Sequence, residues 1–335
     1  MKTLALLCSG GDAPGMNAAL WALLEAAEAR HWRCLGVREG LVGLLRGDVQ
    51  PLSATQVLPW ARRGGTGLAS SRLADFHSQL PALQAQMQRL GIDGCVLLGG
   101  NGSLAAAAAL AQPGCAVVGI PVTIDNDVAD SEESIGFDSA LNTALHLLDN
   151  IRDTAEAMPR LFALETLGGN SGFLAQQLAY LAGADAALLP EMPLSLATLQ
   201  QLSQAGLRRK GYALLVASEG YPSLEQQLQD LAQALQTRLR LSRIGHAQRG
   251  GAASARDRYL ARCLAQQAIA ALEAKRSGLA LWRHNRAVLQ DFPAALTTKP
   301  LPPMLLYDAQ PDTAHAETFS RDTPPSDIPS AEQDT

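Results

Sequence analysis

Apolar residues in this chain gather in short runs, and between the runs they recur every three or four positions. Short apolar runs bounded by Gly, Asp and Ser read as buried strands, whereas the stretches between them carry the 3.6-residue period of helices. Strands are predicted on this basis at 3–8, 34–37, 94–98, 116–120, 161–164, 186–189, 212–217, 243–245 and 278–282. Helices are predicted at 16–30, 104–111, 137–157, 172–181, 224–238 and 256–274, among others. Strands alternating with helices of ten or more residues form βαβ units, hence parallel sheets covered on both faces. The expected fold class is α/β, with two doubly wound, mainly parallel αβα domains. Residues 1–136 and 250–300 make the first, to which the last helix and strand return, and residues 137–249 make the second.

Composition sharpens this picture at the end of the chain. Beyond residue 299 seven prolines punctuate a polar stretch, and residues 308–335 carry seven acids against Arg321 alone. Such a segment buries too little apolar surface to offset its ordering entropy, so 301–335 is expected to be a disordered acidic tail. The tail holds a charge of −6 out of the total of −5, which leaves the body of the chain at +1. That balance has the wrong sign for a protein that neutralises nucleic acid. No apolar run reaches the roughly 18 residues of a membrane span. Met1-Lys2 leads into the first strand without a cleavage pattern, so an unexported, cytoplasmic protein is expected. Five scattered cysteines, an odd number with no Cys-x-x-Cys, suggest buried thiols and neither disulfides nor zinc.

Candidate chemistry sits where strands end. After the first comes Ser9-Gly10-Gly11-Asp12-Ala13-Pro14-Gly15-Met16-Asn17, then a helix. Glycines let successive N–H groups turn toward one point and the helix N-terminus adds partial positive charge, which suits a phosphate. The same residues also suit a packing turn. A second junction, Gly99-Gly100-Asn101-Gly102-Ser103, repeats the device. Two such junctions at the carboxyl edge of one sheet converge where open α/β sheets bind ligands. A third edge, Pro121-Val122-Thr123-Ile124-Asp125-Asn126-Asp127, offers two carboxylates and a hydroxyl for general-base and metal-orienting work, or simply a turn. The densest basic stretch carries Arg238, Arg240, Arg243, His246, Arg249, Arg256 and Arg258, of which Arg238, Arg243 and Arg256 read as a solvated face.

Taken together, these loops resemble the phosphofructokinase family. The matching stretches are Ser9 to Asn17, Arg63-Gly64-Gly65-Thr66 with Arg72, Gly99 to Ser103, Pro121 to Asp127, Ile135-Gly136-Phe137, Arg160, Glu165 to Gly172, Glu219-Gly220 and Gly245 to Gly251. The resemblance implies ATP-dependent phosphorylation of the 1-hydroxyl of fructose 6-phosphate, with Mg2+, in a cleft between a nucleotide domain and a sugar-phosphate domain. It implies Asp125 as base, with Asp127, Thr123 and Arg72 beside it at the reacting groups. Gly11, Arg72, Leu73, Gly100, Asn101, Gly102 and Ser103 would cradle the nucleotide. Thr123, Asp125, Arg160, Leu167, Gly168, Gly169, Glu219, Arg240, His246 and Arg249 would hold the sugar phosphate. It also implies a homotetramer in which Arg160 and Arg240 reach a neighbouring subunit's site.

Several positions depart from the family's pattern. Asn101 stands where the family usually has an aspartate that serves the metal, with Asp127 as the other candidate ligand. An amide oxygen is a weaker ligand for a hard cation. Gly169 replaces an arginine near the reacting phosphates. Val122 is neither the glycine usual in ATP users nor the lysine of pyrophosphate users, while small Gly102 favours ATP. Trp21, Glu25 and Ala54 replace effector-binding arginines, although Arg152, Arg208 and Lys210 persist, so effector control is expected to be weak or absent. The alternatives are a pyrophosphate-dependent enzyme, or a paralogue that binds sugar phosphate with little or no catalysis.

Overall fold

Leu4, Leu6 and Cys8 belong to one buried apolar layer and Ala5 and Leu7 to another, as the two-residue period of a central strand requires. The structure, a computed structural model, describes residues 2–158 and 160–303. Its first half runs β1 (Thr3–Cys8), α1 (Met16–Glu28), β2 (Arg33–Val37), α2 (Gly40–Arg46), β3 (Val49–Pro51), α3 (Ala54–Val57), α4 (Phe76–Arg89), β4 (Gly94–Gly99), α5 (Asn101–Leu110), β5 (Ala116–Thr123), β6 (Ile135–Gly136) and α6 (Phe137–Ala157). The second half continues with β7 (Leu161–Thr166), α7 (Phe173–Ala182), β8 (Ala186–Leu188), α8 (Leu196–Lys210), β9 (Ala213–Ser218), α9 (Leu224–Ala234), β10 (Leu239–Arg243), α10 (Ala255–Glu273), β11 (Gly278–Arg283) and β12 (Arg286–Gln290). A 3₁₀ turn, Gly245–Arg249, joins β10 to the segment before α10.

The first sheet has the order β12-β11-β5-β4-β1-β2-β3, with β6 beside β5. Only its β2–β3 and β11–β12 pairs are antiparallel. The second, β10-β7-β9-β8, is wholly parallel. The two-domain αβα expectation therefore holds, with β11 returning to β5 after the second sheet is complete. One core layer joins α1, α10, α6 and α7 across both sheets, while α2, α4 and α5 close the far face of the first, and α8 and α9 that of the second. No helix among the described residues is long and apolar enough to cross a membrane.

Two expectations are corrected. The strand predicted at 243–245 is instead β10, because α9 ends at Ala234 and Leu239 and Leu241 then pack under the second sheet. Residues 301–303, assigned to the tail, lie against the body: Leu301 packs on the core and the Pro302 carbonyl accepts from Gln176 Nε2 at 3.1 Å. The remainder of the predicted tail, 304–335, lies outside the described residues. Four of the five cysteines are buried and Cys263 is half-buried, all of them free. Burial pushes the thiols of Cys8 and Cys34 up to about 12, as expected of inert core sulfurs.

Asp257, at the start of α10, ties the two halves together. Its carboxylate accepts from the backbone N–H groups of Gly136 (2.8 Å) and Ser139 (2.9 Å) and from the Ser139 hydroxyl, at the entrance to α6. Burial nonetheless pushes its pKa up to about 6, against the lowering effect of those bonds. Between about pH 4 and 6 the folded protein thus holds a proton that the unfolded chain has released, so this group's contribution to stability falls as pH rises through that window. Urea unfolding of Asp257→Asn should lack that fall. Asp257→Ala should cost about 2–4 kcal/mol at pH 7, since it leaves buried donors unpaired.

Candidate active site

The carboxyl ends of β1, β4 and β5 meet in one cleft of about 400 Å³. Ser9, Gly10, Gly11, Arg72, Leu73, Gly100 to Ser103, Thr123, Asp125 and Arg249 line it, so the structure brings together both glycine junctions, the Thr-x-Asp edge and one residue of the basic stretch. Leu41, Phe76 and Val122 line it as well. The first two lie on α2 and α4, helices without predicted counterparts, and nothing in their local sequence marks them as site residues.

The helix predicted from Leu104 begins three residues earlier, at Asn101, with Gly100 extended at its N-cap. Asn101, Gly102 and Ser103 therefore form the first turn, whose N–H groups lack the full set of intrahelical partners and carry the positive end of the helix dipole. The Ser103 hydroxyl donates to Ser9 O at 2.9 Å and so locks the second glycine loop to the first. Asn17, buried in α1, holds the 63–67 loop: its amide donates to the carbonyls of Arg63 and Gly64 (both 3.2 Å), and its oxygen accepts from Gly67 N (2.8 Å).

Gly11 lets the Arg249 guanidinium lie directly on the loop. A Cβ there would stand 2.6 Å from Arg249 Nη1, which donates to Asp12 O at 3.0 Å. The guanidinium thus lies on the first phosphate-type loop and lowers the Asp125 pKa, but burial and the neighbouring Asp127 charge outweigh it and hold Asp125 above the usual carboxylate range. Asp125 Oδ1 is buried without a partner. Asp127 is likewise raised by burial, opposed by Asn101 and Lys299. Asn101 Nδ2 donates to Asp127 Oδ2 at 2.9 Å, which leaves Asn101 Oδ1 buried and unpaired. Lys299, which carried no sequence signal, donates its backbone N–H to Asp127 O at 2.8 Å, and burial pushes its ammonium down to about 8.

The remaining predicted residues lie elsewhere. Glu219, at the end of β9, is exposed; its Oε1 accepts from the N–H groups of Gly168 (3.1 Å) and Gly169 (2.8 Å). Gly169 sits at φ +58°, so its carbonyl and amide directions serve that anchor, and any side chain there would be strained. Leu167 N is held by the buried Gln248 at 2.7 Å. His246 is exposed on the 3₁₀ turn and does not line the cleft. Arg160 and Arg240 line a separate cavity of about 320 Å³ with Asn150, Thr154 and Phe162, away from Arg249. Of the basic residues read as a solvated face, Arg243 pairs with Glu165 and Glu225, and Arg256 with Glu133. Glu25 pairs with Arg262, whose guanidinium lies 4.7 Å from the Trp21 ring centre.

No group of three or more His, Cys, Asp or Glu side chains among the described residues could hold a metal by itself. The donor set that does converge, carboxylates with an unpaired amide oxygen, consists of hard oxygen ligands and suits Mg2+ completed by substrate phosphates.

Comparison with known proteins bears on the family and the fold. The model of the phosphofructokinase family matches residues 3–272. An ATP-dependent 6-phosphofructokinase of Streptococcus uberis is 38% identical over 296 residues, 87% of this chain and 88% of that protein. Its counterpart in Streptococcus pyogenes serotype M5 matches equally, at 38% over the same shares. The phosphofructokinase of Pichia pastoris superposes with a TM-score of 0.82 at 29% identity, over 87% of this chain and 35% of that longer one. A pyrophosphate-dependent phosphofructokinase from Marinobacter aquaeolei shares the fold, with a TM-score of 0.79 at 20% identity over 90% of this chain and 86% of that one.

The Asn101–Asp127 bond makes a prediction that needs no turnover. Asn101→Asp replaces a donor by a second carboxylate facing the first. It should cost about 1–3 kcal/mol of stability in urea at pH 8 without divalent cations, and millimolar Mg2+ should recover it. A loss that Mg2+ does not recover would contradict the oxygen-ligand assignment.

Proposed function

The chain belongs to the phosphofructokinase family, and on that premise we propose that it transfers the γ-phosphoryl group of ATP to the 1-hydroxyl of fructose 6-phosphate. The products are fructose 1,6-bisphosphate and ADP, a step of glycolysis in the cytoplasm. The observation that carries this reading is the cleft itself: two glycine junctions and a helix N-terminus face a partly buried carboxylate that has an oxygen to spare.

Asp125 is the general base. A carboxyl raised above its ordinary range binds a proton more readily, and its unpaired Oδ1 can accept the one released by the sugar hydroxyl. As that proton leaves, the hydroxyl oxygen bonds to the γ-phosphorus and the bond to the β,γ-bridging oxygen breaks. Thr123 orients the reacting end of the sugar, and Arg72 opposes the charge that develops on the transferring oxygens. Gly11 and the residues Gly100 to Ser103 hold the nucleotide phosphates, while Leu73 with Leu41 and Phe76 forms an apolar wall for the base. That wall favours a nucleotide over pyrophosphate, which has no apolar part to bury. Asp127 and the Asn101 amide oxygen would hold Mg2+, which when bound neutralises phosphate charge.

In this scheme residues 1–136 with 250–300 bind the nucleotide and 137–249 bind the sugar phosphate. Leu167 to Gly169 and the remaining oxygen of Glu219 meet the sugar, with His246 and Arg249 at the 6-phosphate. Arg160 and Arg240, which share their own cavity, reach the site of a neighbouring subunit in a homotetramer. Glu25 and Trp21, engaged with Arg262, leave little attraction for an anionic effector.

A coupled assay for fructose 1,6-bisphosphate tests the assignment. ATP should support turnover and pyrophosphate should not, and Asp125→Asn should lower kcat by about 10²–10⁴ while leaving the KM values within a few-fold. Turnover with pyrophosphate alone, or an Asp125→Asn protein of undiminished kcat, would overturn it.

A further inference from the structure

The loop that carries Asp125 and Asp127 runs from the end of β5 to β6, and it is pinned from behind by a strap near the end of the described chain. Thr298 forms an isolated antiparallel bridge with Val128, and Lys299 N donates to Asp127 O at 2.8 Å. The Lys299 ammonium then reaches along the loop and donates to the carbonyls of Ser131 and Glu132, both at 3.0 Å. The same ammonium lies 4.6 Å from the ring centre of Phe173, the first residue of α7 in the second domain. Just before Phe173, the Ser171 hydroxyl donates to Asp125 O at 3.1 Å, and farther along α7 Gln176 holds the strap at Pro302. One side chain therefore touches the loop that carries Asp125 and, two residues beyond Ser171, the start of the helix that follows the turn gripping its carbonyl.

The charged groups around this ammonium are Asp127, Glu132 and Glu133, all acids on the loop it supports. A cation here offsets their mutual repulsion and donates to two loop carbonyls, of which that of Glu132 also accepts from Asn126 Nδ2 at 3.5 Å. An apolar residue of similar length could keep the packing on Phe173 but could do neither.

We propose that Lys299 is a positioning residue for phosphoryl transfer, holding the Asp125–Asp127 loop in register with the second domain so that the base meets the sugar hydroxyl. It touches neither substrate, and the claim rests on the assignment of Asp125 as the base.

Two measurements on the full chain test it together. In steady-state assays with ATP and fructose 6-phosphate, Lys299→Met should lower kcat at least 10-fold with both KM values within about 3-fold, and Lys299→Arg should restore kcat to within about 3-fold of wild type. In hydrogen exchange without substrates, Lys299→Met should speed exchange of the 127–134 amides at least 10-fold while the strands of the first sheet stay unchanged. Should the methionine variant fail to fold, Lys299→Gln, which keeps a donor without the charge, takes its place with a kcat between those of the methionine and arginine variants. A wild-type kcat in Lys299→Met (or in Lys299→Gln where that variant stands in), a KM rise that matches the kcat loss, or failure of Lys299→Arg to rescue would overturn the proposal. Wild-type protein without any phosphoryl transfer, but with the exchange pattern as stated, would refute the proposed reaction while leaving the loop's dependence on Lys299 intact. Unchanged exchange would refute that dependence.

Discussion

Everything in this molecule that points to chemistry depends on keeping two carboxylates half-dry at the end of one strand. Asp125 and Asp127 are both raised by burial, and each stands among groups that offset part of the cost: Arg249 and Thr123 for the first, Asn101 and Lys299 for the second. Water would remove that tension and with it the basicity of Asp125. The surroundings must therefore come from several parts of the chain at once. Arg249 arrives from the end of the second domain, Lys299 from the strap beyond the last strand, and Ser171 from the turn before α7.

The convergence depends on a chain path in which the second sheet is completed before the first is closed. The chain completes β10 and its 3₁₀ turn, delivers Arg249 to the loop at Asp12, and only then forms α10 and β11 beside β5. Asp257 then binds the entrance of α6 to the start of α10, so the two crossings between the halves are fastened to each other.

What could be read from the sequence follows from how local the signal is. The glycine junctions and the Thr-Ile-Asp-Asn-Asp edge are local backbone features, and their place at strand ends follows from the alternation of strands and helices. Of the strands that escaped the pattern, β3 and β12 lie at sheet edges with half-exposed residues and β6 is only two residues long, while β10 alternates arginine and serine with leucine. Helix α8 sets three Gln, one Ser and a closing Arg208-Arg209-Lys210 among its leucines, so the segment as a whole reads as polar. In the site, Arg249 and Asp125 could be found by motif, but the apolar lining by Leu41 and Phe76 could not, and the separation of Arg160 and Arg240 into their own cavity is a property of the folded subunit. Lys299 was invisible because its partners lie about 170 residues away.

Burial and the neighbouring Asp127 charge hold the Asp125 carboxyl ready to take a proton. Carboxyl-carbon NMR on protein labelled at aspartate, with Asp125→Asn used to assign the resonance, measures that state directly. The midpoint expected for Asp125 lies above the ordinary value of 3.8. A midpoint at or below that value would contradict it.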